Sequence, residues 1–155
     1  MPTTATQIAT KYPLPVYNYR VVIEDKDLAF SEVSGLNIEY ETLIYRHGLS
    51  AKEGDTYMPG MGTPVSVTLK RGIINNDQAL YLYNWMGTLN LNNASLRDIN
   101  VSLCDKDGKP TINWKVIQAF PVNLEMPTFD SNDDDVAVES LELMAHNLEM
   151  SLPQS

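Results

Sequence analysis

Hydrophobic and polar positions along this chain recur mostly with a period of two. Tyr17, Tyr19, Val21 and Ile23 alternate with Asn18, Arg20, Val22 and Glu24, the pattern of a strand with one face in a core. The run "EDKD" reads as a turn into a partner strand over 28–33, and Ser34-Gly35 as the next bend. In "FSEVSGLNIEYETLIYRHG", Leu36, Ile38 and Tyr40 face one way while Asn37, Glu39 and Glu41 face the other. After Thr42 the apolar positions shift to Leu43 and Tyr45, a one-residue change of phase that predicts a β-bulge near Glu41 or Thr42. The second face of this long strand is unusually polar, and the reason for that is a question the pattern itself raises.

The segment "HGLSAKEGDTYMPGMGTP" is rich in Gly and Pro and predicts a loop over 47–63, longer than a hairpin needs. It returns into Val65, Val67 and Leu69, interleaved with Ser66, Thr68 and Lys70, the expected partner of the long strand. "NNDQALYLYNWMG" predicts a helix, with Asn76 or Asp77 as cap and Gly87 as stop. Its stripe of Leu80, Tyr83 and Met86, with Leu82 and Trp85 beside it, suits packing on a sheet. Ile99, Val101 and Leu103 alternate with Asn100, Ser102 and Cys104, Asp107-Gly108 marks a hairpin turn, and Ile112, Trp114 and Val116 continue beyond it. An irregular stretch over 120–135 and a final extended segment over 136–150 complete the chain. The sum is a mainly β protein, an antiparallel β-barrel or sandwich with one α-helix and about seven strands, without internal repeats.

Composition narrows the partners. The 155 residues, 43% of them hydrophobic, make one expected domain over 1–155, able to bury roughly 70% of its unfolded surface. Pro13 and Pro15 make 1–15 an extended N-terminal arm. Eleven Lys and Arg against 20 Asp and Glu, a net charge of -9, oppose attraction to nucleic acid or anionic lipid. Cys104 is the only cysteine, and neither an apolar signal core nor a membrane-length apolar run occurs. Synthesis in a reducing cytoplasm and no membrane binding are expected. The sequons at Asn93 and Asn100 read as ordinary loop and strand groups.

No arrangement of residues carries catalysis or a metal. His47, His146 and Cys104 have no second ligand near them in sequence. "DSNDDD" spaces Asp130, Asn132 and Asp134 like a calcium loop, but Asp135 stands where Gly is required and Leu141 where Glu is required. Glu39 and Glu41 share a strand face, yet neither sits among the apolar groups that would raise the carboxyl of a glycosidase acid. Ser34 lacks the flanking glycines of a nucleophile elbow, and "MPGMGT" lacks the Lys and spacing of a phosphate loop. The expectation is no catalytic site, no cofactor and no metal.

In order along the chain, "TQIATKYPLPVYNYRV", "FSEVSGLNIEYETLIYRHG", "MPG", "VTLKRG", a helix with "LYNWM", "RDINVSLCDKDGKP", Trp114, "AFP" and "VAVESLELMAHNLEM" resemble the phage tail tube protein family. Within it they are similar to the inner-tube subunits of phage-tail-like contractile injection systems of the antifeeding prophage and Photorhabdus virulence cassette type. The segment 47–57 is longer than that likeness leads one to expect. The resemblance implies a β-barrel-like subunit whose sheets continue between subunits into six-fold rings, stacked as a hollow tube within a contractile sheath. Implied partners are further copies of the chain, sheath protein, baseplate and tube-terminating proteins, and protein cargo in the lumen. A water-filled channel would account for a strand with a polar second face. On that reading Asn37, Glu39, Glu41, Ser66, Thr68, Lys70, Asn100, Ser102, Asn113 and Lys115 are candidates to line the lumen. Tyr57, Met58 and Met61 are candidates to anchor ring stacking from the long loop. The alternatives are a tube subunit of a contractile-tailed phage or a specialised ring at the baseplate. An enzyme or small-ligand binder on a barrel lacks any supporting constellation.

Overall fold

The computed structural model describes residues 16, 18–46, 48, 54–89 and 95–153. Among these residues the strands are β1 (Tyr19–Ile23), β2 (Lys26–Leu28), β3 (Glu32–Ser34), β4 (Tyr40–Tyr45), β5 (Thr56–Gly62), β6 (Val65–Gly72), β7 (Arg97–Cys104), β8 (Pro110–Glu125), β9 (Val138–Ala145) and β10 (Asn147–Ser151), with one helix, α1 (Tyr81–Met86). The mainly β, antiparallel class with one short helix is as expected. Eight strands form one sheet in the order β2-β1-β7-β8-β9-β6-β3, with β10 also on β8. The 16-residue β8 is its spine, pairing β7 and β10 along its first part and β9 along its second.

Alternation fixes which side of this sheet is dry. Val65, Val67 and Leu69 of β6 lie opposite Ala145, Leu143 and Leu141 of β9, and Val21 and Ile23 of β1 lie opposite Val101 and Ile99 of β7. All of these join one core with Val116, Leu148, Leu82 and Trp85, so the sheet folds over on itself and its two halves share that core. Two register shifts in β8 make the fold-over possible. The first lies where Ile117 and Gln118 face the single residue Asp98, with Gln118 at φ 53, and the second lies between Pro121 and Asn123. Each shift reverses which residues point inward: Trp114 and Val116 face the core before the first, Ala119 and Pro121 after it.

The long strand departs from expectation in partner and in length. Residues 36–46 do not pair with 65–71; β4 pairs with β5, and β6 pairs with β3 and β9. The predicted 47–63 loop therefore contains a strand. Pro59 and the glycines of "TYMPGMG" argue against a strand in a sheet interior, but β5 is an edge, where a missing N–H costs little. A register shift does lie beside Glu41, but its extra residue is on β5 and not on the strand where the change of phase was read: Tyr40 faces Gly62 and Thr42 faces Pro59. Residues 35–39 are not strand, because Gly35 turns the chain at φ 87. A Cβ there would meet the Ser66 carbonyl oxygen at 2.2 Å, so only Gly permits this crossing. The expected strand over 28–33 is likewise split into β2 and β3.

α1 is shorter than predicted and turned about its axis. Leu82 and Trp85 are buried, while Leu80 and Tyr83, expected on the packed stripe, are exposed. The buried pair joins the common core, with α1 lying against β8. Arg97 of β7 covers the helix flank: its guanidinium lies 5.2 Å from the Tyr81 ring and 5.1 Å from the Trp85 ring and donates to the Tyr81 hydroxyl at 2.7 Å. Trp85 Nε1 donates to Ser95 O at 2.8 Å, satisfying its buried polar edge.

Candidate functional site

The ten lumen candidates lie on four strands, β4, β6, β7 and β8, and on the connection between β3 and β4. Ser66, Thr68 and Lys70 alternate with the core residues of β6 and so lie on its solvent side. Asn100 stands directly opposite Lys115, and Ser102 opposite Asn113, which puts these four on the solvent side of β7 and β8. Asn37 and Glu39 lie between β3 and β4, and Glu41 lies on β4; all three are exposed. Because the sheet folds about β8, the β6 group and the β7–β8 group look outward from its two halves. They form two patches instead of one wall.

The β7–β8 patch is the more connected. Ser102 is buried, its Oγ 2.6 Å from Asn113 Oδ1, so of the ten it is the one with little surface to offer. Lys115 Nζ lies 3.7 Å from the Asp98 carboxylate. Neighbouring strands extend the patch: Arg20 of β1 faces Ser102, and Glu149 and Ser151 of β10 face Lys115 and Asn113. Arg20 Nε donates to Asp27 Oδ2 at 2.6 Å, and that hydrogen bond raises the guanidinium pKa further above its ordinary value. On the other half Lys70 Nζ pairs with Glu32 at 3.3 Å. Cations and carboxylates are thus interspersed, which leaves neither patch with the one-sign field that would hold a charged chain tightly.

β4 and β5 make a second candidate surface. They form a two-stranded sheet of their own, to which no strand pairing joins the larger sheet among the described residues. Leu43 faces Met58 and Ile44 faces Tyr57, so both faces of the hairpin carry exposed apolar side chains. Of the stacking candidates, Tyr57 is 65% and Met61 79% exposed, and Met58 is also exposed. They sit on a strand where a loop was expected. Thr63 ties the root, donating its backbone N–H (2.8 Å) and its hydroxyl (3.1 Å) to Glu39 O.

Sequence reasoning missed one charged group entirely. Arg71 and Glu139 face each other across β6 and β9 inside the protein and form a buried ion pair. Arg71 Nη2 also donates to Gln78 O at 2.8 Å and Ala79 O at 3.1 Å, holding the turn before α1. The signal was available: Arg71 continues the inward series Val65, Val67, Leu69, and Glu139 precedes Leu141 and Leu143 in the matching series. Tyr19 is a smaller case; its hydroxyl donates to Phe30 O at 2.7 Å, and burial raises its pKa.

Among the described residues no three His, Cys, Asp or Glu side chains are grouped to hold a metal. The acidic stretch caps its own turns, Asp130 Oδ1 accepting from Asn132 N (3.0 Å) and Asp133 Oδ1 from Asp135 N (2.9 Å). His146 is exposed at the kink between β9 and β10, Cys104 is buried, and His47 lies outside the described residues, as does the 1–15 arm. No described helix is long and apolar enough to cross a membrane.

The family model for the T4-like virus tail tube protein gp19 matches residues 15–149. This chain belongs to that family. Among solved structures it is similar to a chain of a PVC sheath-tube complex in the extended state of an extracellular contractile injection system. The two are 35% identical over 98% of this chain and 100% of that one, with a TM-score of 0.89. It is also similar to a chain of the PVC sheath/tube terminator, at 34% identity over 91% and 98% with a TM-score of 0.83. A chain of the anti-feeding prophage tube-terminating cap matches at 32% identity over 99% and 100% with a TM-score of 0.85. No match is found among curated proteins. The family is one of structural tail tube proteins, and the resemblance read from the motifs is to the family now shown.

Proposed function

We propose that this protein is the inner-tube subunit of a contractile injection particle, assembling into stacked six-fold rings around a channel that conducts protein cargo. The observation that carries the reading is the match to the PVC sheath-tube chain over the full length of both chains. Its role is mechanical and not enzymatic. Sheath protein would surround the tube, with baseplate and terminating proteins at its ends. The strands that end the sheet's order, β2 and β3, are only three residues long, but β10 and the second part of β8 also have one unpaired side among the described residues, and pairing or covering these edges in a ring removes an aggregation liability. The mixed-charge polar side of the sheet would form the channel wall. Asn100→Cys and Thr68→Cys, labelled with a thiol reagent too large to enter the bore, tell which half faces inward: that variant is protected in tubes and labelled in free subunits.

The β4–β5 hairpin supplies contacts between rings, because an isolated two-stranded hairpin with apolar faces gains stability only when covered. Deleting 49–55 should preserve the circular dichroism of the subunit and its rings in native mass spectrometry while shortening or abolishing tubes in negative-stain images. Full-length tubes from that variant would place stacking elsewhere. A second reading, a ring that terminates the tube, is favoured by nearly equal identities to the terminator and cap chains. Under that reading the purified protein forms single rings that bind tube ends and never elongates. A tube subunit of a contractile-tailed phage is the third, and neighbouring capsid and terminase genes would mark it.

A further inference from the structure

The shared core is not closed where β7 ends. Val101 and Leu103 of β7, Trp114 of β8 and Tyr19 of β1 meet there with Val33 and Leu36, and together with Val16 they line a concavity of about 170 Å3. Tyr19, Val33, Leu36 and Trp114 pack against the core yet are only half-buried, so each keeps an apolar side in water. The described chain enters at this mouth. Cys104 N donates to Asn18 O at 2.8 Å, and Asn18 Nδ2 donates to Asp105 O. These two bonds pin Asn18 to the end of β7 and leave Val16, 82% exposed, on the lip.

We infer that the segment just before Val16, Tyr12 to Pro15 with Leu14 as its anchor, covers this mouth in the subunit to which it belongs. The inference stands apart from the tube reading, since it concerns a contact within one subunit. Residues 1–15 lie outside the described residues; size, reach and chemistry select them as the occupant. The space is smaller than the roughly 300 Å3 at which small-molecule pockets begin, and it suits one or two side chains. Leu14 precedes Val16 by two residues, at most roughly 7 Å of extended chain, so it stays close to the lip. A tether that short gives a subunit's own segment a high effective concentration over the segment of another copy. The chemistry agrees, because Tyr12 and Leu14 offer apolar bodies and Lys11 is the single charged side chain of 1–15. Pro13 and Pro15 fix their own φ near about −65° and favour extended backbone at Tyr12 and Leu14, which reduces the entropy lost on docking. Having no N–H, the two prolines also bring no donor that an apolar surface would leave unpaired.

The protein has two tryptophans, and Trp85 is fully buried while Trp114 lines the mouth, so quenching of fluorescence by acrylamide reads Trp114. Leu14→Ser in the full chain should keep the parent's circular dichroism, raise the quenching of Trp114 and shift its emission to the red. Quenching and emission equal to the parent's overturn the inference. A second measurement decides whose segment fills the mouth. In the double variant Leu14→Cys with Val33→Cys, oxidised at a dilution where the chain is monomeric, a disulfide should form within one chain, with the buried Cys104 left reduced. The two single variants, mixed in equal amounts at high concentration and oxidised, should not be joined to each other. A bridge within the chain supports the inference, because disulfide geometry demands that the two positions lie side by side. The double variant without a bridge overturns it and puts the segment elsewhere on the surface. A disulfide joining the two single variants also overturns it, and assigns the mouth to the segment of a neighbouring copy.

Discussion

Strands β4 and β9 are both apolar enough to be core strands, yet they end in opposite environments. β9 lies between β8 and β6, and its alternate residues Leu141, Leu143 and Ala145 are buried. β4 has β5 on one side only, and all six of its residues are exposed, Leu43 and Ile44 included. A period-two pattern thus states which residues would share a face and is silent on whether anything covers that face. A contiguous apolar face left bare by a folded chain is the usual mark of an interaction surface.

The sharpest way to break the comparison is at the buried ion pair that β9 shares with β6. Arg71→Met leaves Glu139 as an unpaired buried carboxylate and should cost about 3–5 kcal/mol in urea unfolding of the free subunit. The double variant Arg71→Met with Glu139→Leu should recover most of that loss, because replacing both partners by apolar groups is near neutral. Next in size, Leu141→Ala should destabilise the subunit by about 2–5 kcal/mol through transfer and cavity terms. Ile44→Ala on β4 should stay within about 0.5 kcal/mol in the same measurement and should instead impair tube formation. Equal losses in unfolding from both variants would show that β4 is packed in the free subunit and would end the contrast. Gly35→Ala comes third, at about 1–3 kcal/mol for its positive φ plus the clash with the Ser66 carbonyl, and it tests whether the link from β3 to the hairpin is as tightly set as the close approach implies. Smallest of all, Glu39→Lys and Glu41→Lys should change subunit stability by no more than about 0.5 kcal/mol and leave rings intact, with any effect confined to cargo loading. Rings lost in either variant would put that side chain in a contact between subunits and not in the lumen.

Much of this protein was legible in its residue order. Alternation of polar and apolar positions marked β1, β6, β7 and β9 because a half-buried strand imposes a period of two. Asp107-Gly108 marked the β7–β8 turn, where Gly108 is at φ 81, because few residues tolerate that conformation. Family membership was legible too, since the motifs run in order over nearly the whole chain. Tertiary structure alone decided the partners. Whether residues 36–46 pair with 56–62 or 65–71 depends on Pro59 lying on an edge strand, and edge status is a property of the finished sheet. The reversal of inward positions along β8 depends on bulges that no local pattern announces, because the extra residue is extra only relative to β7 and β9. The turn of α1 that buries Leu82 and Trp85 depends on the core formed beside β8, which exists only once the sheet has folded over. Local physics therefore chose most of the elements, while long-range contacts chose which faces were covered and which were left bare.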